Sequence, residues 1–331
     1  LQERGVGTGL AAKIYKAYGQ QSIETITKNP YQLIDDVWGV GFKSADELAL
    51  KLGFKHDSPA RVQAGIIHVI STAIQEGHLY KLVIDSLTQA IELLGLRPQE
   101  DEALVKQVMR ALYEAEKIKV VVFETKHYVT LPQYYYSEVG IANKMKAFAS
   151  PTAYKIAFPS SAICHKLRGN EIGDIQLNDE QQAGVIGCLE HKVSIVTGGP
   201  GTGKTTLLKT LLTVLESQRM RVKLAAPTGR AAKRMFEGTG CATETLHRLL
   251  EFSPATMNFT RNEQNAIQAD FVIVDEASMI DVFLMHSLLR AISDKSHLVL
   301  LGDVDQLPSV GPGNVLQDLI DDQRITAMEE N

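Results

Sequence analysis

The chain has 331 residues, of which 44% are hydrophobic and 22% charged, with a formal net charge of −5. That length holds two or three domains, and the mild acidity excludes a globally basic nucleic-acid binder while leaving local basic patches open. Three scattered cysteines, Cys164, Cys188 and Cys241, lack metal-ligand spacing and suit a reducing, cytoplasmic setting. No apolar run reaches the ~18 residues that span a bilayer, and no secretory signal opens the chain. A start at Leu1 is expected of a piece of a longer protein.

Residues 1–57 contain an internal repeat. Gly5-Val6-Gly7 precedes the helical pattern Leu10 to Tyr15, and Gly39-Val40-Gly41 precedes the helical pattern Ala45 to Leu52. The two Gly-apolar-Gly turns between helices resemble a tandem helix-hairpin-helix module, a family that grips DNA backbones without reading sequence. Glycine lets the hairpin backbone approach a phosphate, and the following helix offers unpaired N–H donors. Gly39, Gly41 and Lys43 are the expected contacts of the second copy, and Lys13 adds charge from the first.

His56 to Pro59 reads as a linker. Residues 60–132 then show helical periodicity from Arg61 to Glu76, from Ser86 (a candidate N-cap) to Leu94, and from Asp101 to Ala115. Two strands follow, Ile118–Phe123 and His127–Leu131, around a short polar turn. Three helices and a hairpin suggest a winged-helix-like α+β domain. Glu102, Asp101, Glu114 and Glu116 beside Lys106 and Arg110 repel phosphate as much as they attract it, so a spacer role is expected. Tyr134-Tyr135-Tyr136 opens a connector, 133–176, and is read as packing rather than as a base-stacking platform.

From Leu177 to the end, strands and helices alternate as in a parallel α/β sheet. Strand candidates are Val193–Thr197, Val222–Ala226, Phe271–Asp275 and Leu298–Leu301. After the first comes Gly198-Gly199-Pro200-Gly201-Thr202-Gly203-Lys204-Thr205-Thr206, which fits G-x-x-x-x-G-K-[ST] between a strand and a helix. Glycine backbone N–H groups and the helix N-terminus suit phosphate. Lys204 reaches the β- and γ-phosphates, and the Thr205 hydroxyl binds Mg²⁺. The third strand ends in Asp275-Glu276, an acid for Mg²⁺, partly through water, and an acid to take a proton from attacking water. The fourth ends in Gly302-Asp303-Val304-Asp305-Gln306, where Gln306 is suited to touch a γ-phosphate. Arg219, Arg221, Lys223, Arg230, Lys233 and Arg234 occur with no acid between Glu216 and Glu237, and the i, i+3, i+4 spacing of the last three puts them on one helix face.

These motifs stand in order with Ala226-Pro227-Thr228-Gly229-Arg230-Ala231-Ala232, Thr245-Leu246-His247-Arg248-Leu249-Leu250 and Gly302 to Gly313. Together they resemble the first RecA-like lobe of a superfamily I DNA helicase of the RecD-like type. Leu177-Asn178-Asp179-Glu180-Gln181 is similar to that family's adenine-reading motif. The hairpin pair and the domain after it match the long N-terminal region of stand-alone bacterial members.

The resemblance implies a multidomain chain: a mainly α N-terminal region, then an α/β RecA-like lobe with a mostly parallel sheet. It implies ATP and Mg²⁺ as cofactors, with Gln181 at adenine and Pro227, Thr228, Arg230 and His247 facing single-stranded DNA. Single-stranded DNA and duplex junctions are the implied partners, in DNA repair and recombination in a bacterial cytoplasm; no membrane is implied. The 5′-to-3′ direction comes from the resemblance alone. Nothing after Gly313 is similar to the family's second lobe, so half a motor is expected, one that binds ATP and DNA without unwinding alone. The rival reading is a non-motor DNA-binding module with a vestigial or regulatory nucleotide site.

Overall fold

The computed structural model describes residues 6–158, 160–168, 177–199, 201–303, 305–306, 309, 311–321 and 327–330. The chain divides into two compact units, Leu1–Tyr135 and Tyr136–Asn331.

In the first unit, α1 (Thr8–Tyr18), α2 (Ser22–Lys28), α3 (Leu33–Asp36) and α4 (Phe42–Lys51) form two short helical hairpins. Gly7 and Gly41 stand at the N-cap positions of α1 and α4; Gly5 lies outside the described residues. Helix α5 (Pro59–Gln75) starts where Ser58 accepts the Arg61 N–H and Pro59 takes the first turn, a position that needs no N–H. Its apolar stripe, Val62, Ile66, Val69 and Ile70, is buried in a core shared with Ile14, Ile26, Phe42 and Leu48. Strand β1 (Lys81–Leu82), α6 (Val83–Leu94) and α7 (Glu102–Glu114) precede the hairpin of β2 (Lys119–Phe123) and β3 (Lys126–Thr130).

Two details differ from expectation. Ser86 does not cap α6: the helix begins a turn earlier, and the Ser86 hydroxyl donates to the Leu82 carbonyl at 3.0 Å from inside it. Strand β1 completes a three-stranded sheet in the order β1-β3-β2; two residues are too few to show alternation. The hairpin turn is Glu124-Thr125, at φ 46° and 69°, the left-handed pair that a two-residue hairpin requires.

In the second unit, α8 (Pro132–Phe148), which begins within the first unit, and α9 (Ser160–Arg168) lead to the α/β lobe. Of the tyrosine triplet, Tyr134 packs on the N-terminal core, whereas Tyr136 is exposed. The lobe runs α10 (Asp179–Glu190), β4 (Val193–Gly198), α11 (Lys204–Ser217), β5 (Val222–Ala226), α12 (Gly229–Thr239), β6 (Thr243–Thr245) and α13 (Leu246–Leu249). A small hairpin, β7 (Phe252–Ser253) with β8 (Asn258–Phe259), precedes β9 (Phe271–Val274), α14 (Val282–Ala291), β10 (His297–Gly302), α15 (Val315–Asp321) and β11 (Ala327–Glu330).

The main sheet has six strands in the order β11-β4-β10-β9-β5-β6, every pairing parallel. Strands β4, β9 and β10 are buried along almost their whole length, Ser194, Thr197 and His297 included, because both faces of a parallel sheet are covered. Helix α10 crosses α11 so closely that a Cβ at Gly184 would lie 2.6 Å from Leu207 Cδ1. Since the strands run parallel, the chain leaves β4, β10, β9 and β5 at one edge, and the expected nucleotide motifs all sit there. No helix among the described residues is long and apolar enough to cross a membrane.

Candidate functional site

The ends of β4, β9 and β10, together with α11 and α12, line a cavity of about 430 Å³, a size ordinary for a small-molecule site. Its lining includes Gly199, Gly201, Gly203, Lys204 and Thr205 from the glycine loop, Asp275 and Glu276 after β9, and Asp303 and Gln306 after β10. Residues as distant in sequence as Gly199 and Gln306 therefore meet because β4, β10 and β9 are neighbours. Pro200 lies outside the described residues.

The loop turns through Gly201 at φ 83° and Gly203 at φ 104°, conformations that side chains disfavour. Gly203 is the N-cap of α11, so the helix begins at Lys204. Lys204 Nζ donates to the Gly198 carbonyl and, at 2.9 Å, to the Gly199 carbonyl, which folds the ammonium back over the loop. Thr202 Oγ1 donates to the Gly199 carbonyl at 3.0 Å. Thr205 is exposed to the cavity, and Thr206 is half-buried behind it.

Asp275 accepts the Glu276 N–H at 2.8 Å. Burial raises its pKa, while that hydrogen bond and the charges of Lys204 and Arg234 pull the other way. A cation at this carboxylate relieves the same burial cost. Glu276 holds φ 53°, and its carboxylate pairs with Arg234 at 3.2 Å. Asp303 is 3% exposed and accepts the Gln306 side-chain amide at 2.9 Å. Among the described residues no cluster of three or more His, Cys, Asp or Glu forms a ready metal site. Mg²⁺ on a nucleotide takes one or two protein oxygens, phosphate oxygens and water; Thr205 and Asp275 line the cavity with hard oxygen donors of that kind.

Gln181 is 8% exposed. It completes a capping box with Asn178, accepting the Asn178 N–H at 3.2 Å, and donates to the Thr202 carbonyl at 3.4 Å. It therefore braces the glycine loop from beneath.

Other expected residues lie apart from the cavity. Thr228 caps α12 by accepting the Ala231 N–H at 3.2 Å, which leaves its hydroxyl proton to donate. Pro227 is half-buried beside it, and Arg230 is exposed on the first turn. His247 lies on α13 with its ring 5.6 Å from Phe252 and 5.5 Å from Phe259. Gly39, Gly41 and Lys43 are exposed at the second hairpin, where Lys13 donates to the Trp38 carbonyl at 3.5 Å.

The basic run does not form one face. Arg221 pairs with Asp270 at 2.8 Å, Lys223 with Glu244 at 3.5 Å and Lys233 with Glu237 at 3.8 Å, while Arg234 turns to the cavity. Helical spacing puts Arg230 and Arg234 on one side of α12, but Arg234 finds its partner, Glu276, after β9, while Lys233 pairs within α12. Sequence reasoning missed Arg234 and Asp303 as cavity residues. Asp303 had a visible signal, an acid directly after a buried strand; Arg234 had none.

A family profile described as "AAA domain" matches residues 181–312, and one described as "ATP-dependent RecD2 DNA helicase HHH domain" matches residues 1–80. The chain is 31% identical over 333 aligned residues to the ATP-dependent RecD2 DNA helicase of Deinococcus radiodurans, covering 95% of this chain and 44% of that protein. It is 40% identical over 167 residues to the RecBCD enzyme subunit RecD of Mycolicibacterium smegmatis, covering 43% of this chain and 30% of that one. The chain thus spans less than half the length of these relatives. The solved structure of Pif1 helicase from Candida albicans is similar with a TM-score of 0.36 and 25% identity, over 47% of this chain and 40% of that one; so slight a likeness decides nothing here.

Fold and site define a RecA-like lobe with a phosphate loop, preceded by a mainly helical region. The chain belongs to the RecD-like superfamily I helicases, the type with an N-terminal helix-hairpin-helix region.

Proposed function

We propose that the chain is the ATP- and DNA-binding part of an ATP-dependent DNA helicase, moving 5′ to 3′ in DNA repair and recombination. The observation that carries this reading is the convergence of Lys204, Thr205, Asp275, Glu276, Asp303 and Gln306 on one cavity. By itself the chain binds nucleotide and DNA without separating strands. The whole protein does the unwinding on single-stranded DNA at a duplex junction.

Residues 1–57 grip the DNA backbone, 60–132 act as a spacer, 133–176 connect, and 177–331 bind ATP. Gly198 to Thr206 surround the phosphates, through their backbone N–H groups except at Pro200, which has none, and through the Lys204 ammonium. Gln181 stands at the adenine end. Thr205 and Asp275 hold Mg²⁺, which supplies charge neutralisation at the β- and γ-phosphates. Glu276 accepts the proton of the attacking water, and Gln306 contacts the γ-phosphate. Pro227, Thr228, Arg230 and His247 touch single-stranded DNA.

The test is nucleotide affinity. Lys204→Ala should weaken binding of a fluorescent ATP analogue by at least about ten-fold, the range for losing hydrogen bonds to a charged group. Unchanged affinity places the nucleotide elsewhere and removes the reading.

A further inference from the structure

Arg234 has no role in the machinery above, yet it lines the same cavity as the glycine loop. Its placement follows from α12. Ala231, Ala232 and Met235 bury the inner face of that helix, and Arg234 emerges at its flank. One turn on, Gly238 lies so near the loop that a Cβ there would be 3.2 Å from Thr205 Cγ2. Arg234 thus stands on the stretch of α12 that faces Thr205, opposite Glu276. Among the described lining residues, Arg234 and Lys204 are the two cations, against three carboxylates, Asp275, Glu276 and Asp303.

The two cations differ in freedom. The Lys204 ammonium is folded onto two loop carbonyls. The Arg234 side chain is 62% exposed and, among the described residues, is held by one polar contact, Nη2 to Glu276 Oε1 at 3.2 Å. Glu276 itself is aimed by its left-handed backbone and 17% exposed. A long cation on a single exposed contact exchanges partners readily, and a guanidinium matches phosphate oxygens as well as it matches carboxylate. A carboxylate oxygen occupied by a guanidinium is withheld from water.

We propose that Arg234 is a phosphate-binding residue supplied from within the lobe: its guanidinium passes from Glu276 to the terminal phosphate of a bound nucleoside triphosphate, and the exchange releases Glu276. The proposal rests on the phosphate-loop reading above and adds a residue and a triphosphate-dependent movement to it. A diphosphate lacks the group that draws Arg234 across, so the residue distinguishes ATP from ADP.

Binding measurements test this without turnover. The chain, Arg234→Gln, Glu276→Gln and the double variant are titrated with Mg²⁺ and a non-hydrolysable ATP analogue, and separately with ADP. Arg234→Gln should lower analogue affinity about ten-fold, the order expected for one charge-assisted contact, and leave ADP affinity nearly unchanged. Glu276→Gln should raise analogue affinity when Arg234 is present and have little effect in the Arg234→Gln background, because the two residues act through one exchange. Equal loss for analogue and ADP, no loss, or the same Glu276→Gln effect in both backgrounds overturns the proposal. Circular dichroism checks the fold; should Arg234→Gln not fold, Arg234→Lys, which keeps the charge and loses the fork, decides by an intermediate, analogue-specific loss. Failure of the underlying reading looks different, since Lys204→Ala would then spare both nucleotides.

Discussion

Gln181 Nε2 donates to the Thr202 carbonyl and fills the space into which a Cβ at Gly203 would project. Gln181 at the start of α10 and the last glycine of the phosphate loop are thus packed as one unit. Gly203 also sits at φ 104°. Gly203→Ala should therefore lower the stability of the lobe by about 1–3 kcal/mol through backbone strain, beyond any effect on ligand. Chemical denaturation without nucleotide measures this, and an unchanged midpoint would mean that the loop takes another path.

Gly41 and Gly39 separate fold from contact at the second hairpin. A Cβ at Gly41 meets nothing within 4 Å, and its φ of −96° and ψ of 176° suit any residue. Gly39 holds φ 78° and lies against Lys13 Nζ. Gly41→Val should leave the melting temperature almost unchanged and weaken binding to DNA of every sequence alike. Gly39→Val should lower the melting temperature as well. DNA affinity intact in a folded Gly41→Val chain would remove the hairpin from the DNA surface. Few lysines take part, so a shallow dependence on salt is expected.

His297 gives the lobe an acid-sensitive point. Its ring is fully buried; one nitrogen accepts the Ile156 N–H at 3.0 Å and the other lies 2.8 Å from the His191 carbonyl. Only the neutral ring does both, donating to His191 and accepting from Ile156. Burial is the main cause that lowers its pKa to about 4. The unfolded chain therefore binds a proton near pH 6.5 that the folded lobe refuses, and stability falls as pH drops from about 6.5 towards 4. His297→Gln, which can make both bonds without titrating, should flatten that part of the curve. Thermal melts of both proteins across this range check it, and identical curves would assign the acid sensitivity to other groups.

Asp46 and Arg61 tie α4 to α5. Arg61 meets the carboxylate with Nε at 2.8 Å and Nη2 at 2.9 Å, and its Nη1 reaches the His56 and Leu94 carbonyls at 2.9 and 2.8 Å. Tyr31 donates to the same carboxylate at 2.7 Å, and burial, then Asp46, raises the pKa of its hydroxyl far above the usual value. Asp46→Ala leaves a guanidinium 5% exposed without its partner. A loss of about 3–5 kcal/mol is expected in urea denaturation of the N-terminal unit. A loss below 1 kcal/mol would mean that water replaces the carboxylate.

The sequence by itself determined the phosphate loop, the acid pair after β9 and the alternation of strands and helices. Their chemistry lies within runs of four to nine residues, where local pattern and function coincide. It also placed Gly39 and Gly41 at a turn between helices, because glycine spacing is a local property. Tertiary structure decided what lies opposite each side chain. Helical spacing grouped Arg234 with Arg230 and Lys233, yet its partner is Glu276 on a different strand end. Gln181 stood out as a binding residue, and packing set it beneath the loop. Strands β1, β6 and β11 have two to four residues each and exist through their neighbours' hydrogen bonds. Periodicity states which residues share a face; only the order of strands in the sheet, fixed by contacts distant in sequence, states what that face meets.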